Sequence, residues 1–247
     1  MSKFAYGKKP FVMDEGDKNV VEQHPHFALA APRRAVDWTS LQSPVEDQGN
    51  LGACTAFGWG ADREYMMIAG KQPLVVLSKL ELYFHERQLE GDVSVDGGAQ
   101  VRTGARVLQT IGVRPESMWP YDPKNFATPP PDDPTDDRKF LVPHAYLVPS
   151  LPVLKNTLHY GHCVPLGFTV YESFESDACM RTGDAPMPEQ GEQVLGGHCV
   201  LAVGYDDRTQ YVTIKNSWGK DVGRGGYFRL PYAFWIAGIV DEMWVVA

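Results

Sequence analysis

The sequence predicts an α+β fold of two lobes, and three observations carry that prediction. Helical periodicity is concentrated in the first half of the chain. Short β-branched and aromatic runs, bounded by Gly, Pro or Asp, fill the second half. Between them, "YDPKNFATPPPDDPTDDRKF" has the Pro- and Asp-rich composition of an exposed crossing loop. A chain of 247 residues suffices for one large domain or two small lobes, and a seam between helical and β-rich halves is a natural cleft.

The elements follow in order. Residues 1 to about 30 are polar and irregular and read as an extended arm. Residues 31–247 form the folded domain, with a left lobe over about 45–125 and a right lobe over about 138–247. "AVDWTSLQSPVEDQGN" is a strand-and-loop entry rich in turn residues. From Cys54 to Ala69, Ala56, Phe57, Gly60, Met67 and Ile68 fall at roughly helical spacing, and Gly70 is the stop. In "SKLELYFHERQLEG", Ser78 and Glu81 form a capping box, and Leu80, Tyr83, Phe84 and Leu89 share one helical face. "QVRTGARVLQTIG" is a third helix ending at Gly112. After the crossing loop, a short helix in "LPVLKNTLHYG" precedes five strand-like runs: "CVPLGFTV", "HCVLAVGYDD", "QYVTIKNSW", "GGYFRLP" and "DEMWVVA".

Composition narrows the function classes. A net charge of −8 argues against a nucleic-acid partner or an anionic membrane surface. No apolar run reaches the roughly 18–20 residues of a membrane helix. The start, "MSKFAYGKKPFVMDEGDK", lacks the apolar core of a secretory signal, so cytosolic synthesis is expected, with export by another route left open. Cys54, Cys163, Cys179 and Cys199 follow no disulfide framework and form no C-x-x-C pair, as in a mostly reduced protein.

Candidate chemistry centres on "QGNLGACTAF". A lone cysteine is most often a small buried hydrophobe. Cys54, however, opens a predicted helix after two small residues. A helix N-terminus favours negative charge and lowers a thiol pKa. The Cys54 backbone N–H has no partner inside the helix and is free for an oxyanion. A thiolate nucleophile needs a base, and the base an orienting group. "GGHCVLAVGYDD" offers His198, and "IKNSWGKDVGRGGYF" offers Asn216. Taken singly, each is weak: a histidine beside a strand is usually structural, and Asn before Ser usually makes a turn.

Taken together, "QGNLGACTAF", "SVDGG", "GGHCVLAVGY", "IKNSWG" and "GGYFRL" resemble the papain-like cysteine peptidases over about residues 30–247. The resemblance implies a papain-like fold with a helical left lobe, a β-barrel-like right lobe and the active site between them. It implies a peptide or protein substrate, a thioester acyl-enzyme, and neither metal nor organic cofactor. Cys54 is then the nucleophile, and His198 its partner in a thiolate–imidazolium pair. Asn216 orients the imidazole, and Gln48 donates to the oxyanion beside the Cys54 N–H. Trp218 shields the His–Asn bond and borders the leaving-group side. Gly97, Gly98 and Gly197 let a substrate strand approach.

Departures from the family pattern carry their own expectations. Leu51 and Val95 stand where relatives have a disulfide, which predicts a packed Leu51–Val95 contact. Thr55 replaces an aromatic residue beside the nucleophile, and Val222 replaces a second tryptophan. The segment before "VDW" is too short for a folded prosegment, yet at about 3.3 Å per residue it can lie along a cleft and act as an intramolecular inhibitor. The main side-chain pocket is expected to lean apolar, around Ala99, Gln100, Cys199 and the Met187 loop. An exopeptidase of the same chemistry and a non-catalytic peptide-binding homologue are the rival readings. Weaker signals are "HYGHC" (His159, His162, Cys163) as a partial metal site and a Cys163–Cys179 pairing. No Walker A motif, dinucleotide fingerprint or G-x-S-x-G elbow is present.

Overall fold

The structure, a computed structural model, describes residues 2–29, 31–132 and 140–247. The stretch 133–139 of the predicted crossing loop therefore lies outside the described residues. After an extended segment come two short helices, α1 (Val20–Gln23) and α2 (His26–Leu29), then strand β1 (Ala35–Asp37). The helical lobe follows: α3 (Cys54–Ala69), α4 (Lys79–Leu89) and α5 (Val101–Thr110). The second lobe contains β2 (Ala145–Leu147), α6 (Leu151–His159), β3 (Val164–Tyr171), α7 (Asp177–Thr182), β4 (Val194–Asp206), β5 (Tyr211–Lys215), β6 (Tyr227–Pro231), α8 (Ala233–Ile236) and β7 (Val240–Val246).

Local chemistry explains the helical boundaries. The Ser78 hydroxyl accepts the Glu81 N–H at 3.2 Å, the first half of the expected capping box. Glu81 does not reach back as a box partner; its carboxylate is drawn away by the Arg114 N–H (2.8 Å) and guanidinium (2.9 Å). The short β2, α7 and α8 are not legible in the sequence, because elements this brief show no measurable periodicity.

The sheet runs β2-β7-β3-β4-β5-β6 with every pairing antiparallel, and β1 adds to β4. It does not close into the expected barrel-like form. Closure needs the edge strands to meet, and the edge strand β2, three residues long, pairs with β7. One apolar cluster lies in the sheet lobe and includes Phe168, Ile214 and Phe228. Another lies among α3, α4 and α5 and includes Trp59, Leu80 and Leu108. Helix α3 packs across β4, which brings the end of α3 that carries Cys54 to the strand that carries His198.

The N-terminal segment is more ordered than its composition suggests. Val20 and Phe27 are fully buried in the sheet-lobe cluster, and Asn156 Nδ2 donates to the Phe27 carbonyl at 2.6 Å. Residues 12–29 are thus anchored to the body, and the extended residues before them can act as an arm. All four cysteines are buried and free. Cys163 and Cys179 sit in different apolar clusters, so the considered pairing is not made. In "HYGHC", His162 Nδ1 bonds the Val246 carbonyl at 2.9 Å, and Cys163 Sγ accepts from Gln42.

Candidate active site

The loop before Cys54 is held mainly through Gln48. Its N–H donates to the Ser217 carbonyl (2.9 Å), and its own carbonyl accepts from the Tyr121 hydroxyl (2.9 Å). Its side-chain oxygen accepts from Ser217 Oγ (2.5 Å), and two backbone carbonyls at the other end of the amide identify that end as Nε2. That Nε2 donates to the Leu51 carbonyl at 2.9 Å and to the Ala5 carbonyl at 3.2 Å. Gln48 is fully buried, so this geometry is rigid.

Across the seam, β4 presents His198 and the turn after β5 presents Asn216. Their side chains meet at 2.7 Å, His198 Nε2 to Asn216 Oδ1. Oδ1 also accepts the Ser217 N–H at 2.9 Å, so it is an acceptor and His198 Nε2 carries the proton. The other ring nitrogen, Nδ1, is buried and has no hydrogen-bond partner among the described residues. The Trp218 ring lies over the imidazole at 4.8 Å and 23°. Lys215, next to Asn216, is buried and donates to Ser43 Oγ and to its carbonyl, both at 2.8 Å, pinning this turn to the chain that leads into Gln48.

The arm occupies the cleft. Phe4 stacks on Trp218 at 3.9 Å and 3°, and Tyr6 meets His198 edge-on at 5.7 Å. The Ala5 carbonyl takes the Gln48 Nε2–H, and the Gly7 N–H points at the Cys54 sulfur. Beyond it the arm pairs with the glycine loop, Ala99 N–H to Gly7 O at 2.8 Å and Lys9 N–H to Ala99 O at 2.9 Å, and with β4, Lys8 N–H to Gly197 O at 3.0 Å. Gly98 has φ +68°, and a Cβ there would fall 1.8 Å from the Gly7 oxygen. A Cβ on Gly197 would fall 2.3 Å from the Lys8 oxygen. Gly97, by contrast, faces open space.

Burial opposes the helix terminus at Cys54. The Cys54 thiol is pushed up to about 11 by burial, against hydrogen bonds from the Cys199, Gly7 and Thr55 backbones. His198 is pushed down to about 4 by burial, against its bond to Asn216. Both shifts run against the expected thiolate–imidazolium pair and favour the neutral forms. Desolvating two charges costs more than the partial charge of one helix end returns.

The Leu51–Val95 contact is not made either. Leu51 is buried, but Val95 is exposed. Polar groups hold the glycine loop instead. The Asp96 carboxylate accepts the Gly52 N–H at 3.1 Å and the Tyr83 hydroxyl, which itself accepts the Gly98 N–H at 3.0 Å. Arg87, buried over the Tyr83 ring, donates to the Val93 carbonyl (2.7 Å) and the Val95 carbonyl (3.3 Å). Hydrogen bonds to charged groups contribute about 1.5–3 kcal/mol each, so Asp96→Ala is expected to cost about 2–4 kcal/mol in urea unfolding and to speed amide exchange at Gly98. Thr55 is accommodated similarly: its hydroxyl donates to buried Glu86 at 2.6 Å.

Gln48, Cys54, His198, Asn216, Trp218, Gly98 and Gly197 thus surround one cleft. Phe4, Tyr6, Lys8, Glu175 and Asp241 belong to it too and were not singled out from the sequence. The period-2 alternation of "FAYGK" was the available signal for the arm: Phe4, Tyr6 and Lys8 share the face turned to the cleft.

Residues 32–243 match the sequence profile described as the papain family of cysteine proteases. Xylellain, a cysteine protease from Xylella fastidiosa, is 33% identical and superposes with a TM-score of 0.85, covering 98% of this chain and 95% of its own. An uncharacterised peptidase C1-like protein of Acanthamoeba polyphaga mimivirus is 33% identical over 213 residues, 81% of this chain and 68% of that protein. The viral cathepsin of Autographa californica nuclear polyhedrosis virus is 26% identical over 225 residues, 84% of this chain and 62% of that protein's length.

Proposed function

Because the chain belongs to the papain family of cysteine proteases, we propose that it cleaves bonds within peptide chains, that Cys54, His198, Asn216 and Gln48 carry the reaction, and that residues 2–9 hold it inactive. The observation behind this is that a peptide already threads the site. Arm residues lie on both sides of Cys54, from Phe4 on Trp218 to Lys9 beside Glu90, as the middle of a longer substrate would. This favours the endopeptidase reading over the exopeptidase one.

Once the arm leaves, water returns and the pair can charge. The Cys54 thiol passes its proton to His198 Nδ1, and the sulfur attacks the substrate carbonyl. Gln48 Nε2 and the Cys54 N–H take the oxyanion, as Gln48 now takes the Ala5 carbonyl. His198 gives the proton to the departing amine, leaving a thioester, and then deprotonates the water that hydrolyses it. The arm escapes this fate through its direction. If Trp218 borders the leaving-group side, as the family resemblance implies, the arm runs opposite to a substrate.

Glu175 latches the arm. It accepts from Ser2 Oγ (2.5 Å), the Tyr6 hydroxyl (2.6 Å) and the Lys3 N–H (2.7 Å). Burial pushes its carboxyl up, but these bonds outweigh burial and hold it below the ordinary glutamate value. A carboxyl lowered by docking favours the docked arm above about pH 4.5 and loses that contribution as pH falls through its docked value. Peptidase activity of the wild type, relative to an arm-weakened variant, is therefore expected to rise below about pH 4.5, and Glu175→Gln to flatten that step.

The test is labelling with an epoxysuccinyl peptide and mapping of the adduct. Glu175→Ala is expected to label on Cys54 faster than the wild type and to cut internally a peptide blocked at both ends. An adduct elsewhere, or trimming from one end only, overturns the reading.

A further inference from the structure

The arm also shows what one pocket of the cleft accepts. Lys8 follows the residue whose N–H meets Cys54, and its side chain is 2% exposed. The stem runs between Gly167 on β3 and Gly197 on β4, with Val101 at the start of α5 alongside. A methyl group on Gly167 would fall 2.5 Å from Lys8 Cε and 3.2 Å from Val101 Cγ2, and one on Gly197 would fall 3.0 Å from Lys8 Cδ. The ammonium ends on the Asp241 carboxylate. A β-bulge puts that carboxylate there. Gly167 pairs with Glu242 and Phe168 with Val240, so Asp241 is the extra residue, and bulges re-aim side chains.

A second carboxylate stands beside it. Glu242 is 2% exposed, and its Oε1 accepts from the Arg102 N–H and Trp244 Nε1, both at 2.8 Å. Its Oε2 is buried with no hydrogen-bond partner among the described residues. The Lys8 charge offsets part of the cost of burying Glu242. The pocket is thus a narrow slot with glycine and valine walls, Asp241 at its end and Glu242 close enough to feel the Lys8 charge. It is not the apolar-leaning pocket expected from the sequence.

We infer that this slot selects substrates with lysine or arginine at the residue preceding the one that carries the scissile carbonyl. The inference rests on the arm leaving the cleft. The position follows from the register: Gly7 lies on the nucleophile, Lys8 is its neighbour, and Phe4 on Trp218 marks the other direction. A basic side chain restores the ion pair that Lys8 made. Leucine fills the stem of the slot but leaves Asp241 facing an apolar group, and glutamate sets a second negative charge against it. Arginine, with five donors in a fork, can meet the Asp241 carboxylate with two parallel bonds.

The test uses the full chain carrying Lys8→Glu, which sets a negative charge against Asp241 and expels the arm. Blocked fluorogenic peptides differing only at that residue (Lys, Arg, Leu, Phe or Glu) are compared by kcat/KM. Lysine or arginine is expected to exceed leucine at least 10-fold and glutamate at least 100-fold. Adding Asp241→Asn is expected to bring the lysine-to-leucine ratio below 3, and Asp241→Lys to favour glutamate over lysine. A measurement independent of turnover is the rate at which epoxysuccinyl amides of lysine and leucine alkylate Cys54, with the same order expected. Preference for leucine or phenylalanine, or a ratio unmoved by Asp241→Asn, overturns the slot assignment and leaves arm displacement standing. A Lys8→Glu chain inert to every peptide and every probe fails arm displacement and the slot assignment with it.

Discussion

Replacing Phe4 and Tyr6 together by alanine is expected to raise the hydrolysis of a blocked fluorogenic peptide about 100-fold at neutral pH. Phe4 lies flat on Trp218, and Tyr6 touches Trp218 and His198 edge-on. Each aromatic contact is worth about 1 kcal/mol beyond area burial, and the buried ring area adds to it, so the pair contributes roughly 3 kcal/mol to docking. About 1.4 kcal/mol is tenfold in the open population, hence about 100-fold until the arm is fully released. The backbone bonds of Lys8 and Lys9 remain, so the chain keeps its fold. An unchanged rate, with Cys54 alkylated no faster by iodoacetamide, would show that the arm does not control access.

The second large effect lies at the reacting groups. In that arm-released background, Cys54→Ser is expected to lower kcat by at least about 10⁴-fold, since a hydroxyl near neutral pH is a far weaker nucleophile than a thiolate paired with imidazolium. Serine retains an acceptor for the backbone N–H groups now facing the sulfur, so stability should change little. Asn216→Ala removes the 2.7 Å bond that orients His198 and leaves a buried imidazole N–H unsatisfied. It is expected to cost about 10–100-fold in kcat with KM nearly unchanged, from roughly 1–3 kcal/mol of lost orientation. Because the groups act as a unit, the double variant should be little worse than Cys54→Ser alone. Additive losses, or an Asn216→Ala effect confined to KM, would assign Asn216 a structural role.

Much of the helical lobe was legible because its elements are long. Helix α3, with sixteen residues, and α4, with a serine cap, carry signals that survive without context. The main strands of the second lobe were legible as short β-branched runs, but their closure was not, since closure depends on how edge strands meet. Leu51 and Val95 show the limit of reading one residue at a time. Both are apolar, yet one is buried and the other exposed, and an aspartate and an arginine hold the loop between them.

The sequence alone singled out the groups proposed to react. Gln48 and Cys54 are local to one turn and one helix start, and His198 and Asn216 sit in words with strong local character. Only the tertiary structure decided the state of those groups. The arm and the cleft are far apart in sequence, so no local pattern reports that Gly7 covers Cys54 or that Lys8 fills a slot. Burial belongs to the whole fold, and it is burial that pushes the thiol up and the imidazole down here. The bulge that turns Asp241 toward Lys8 is a matter of register between β3 and β7, and one extra residue in a strand leaves no mark in composition.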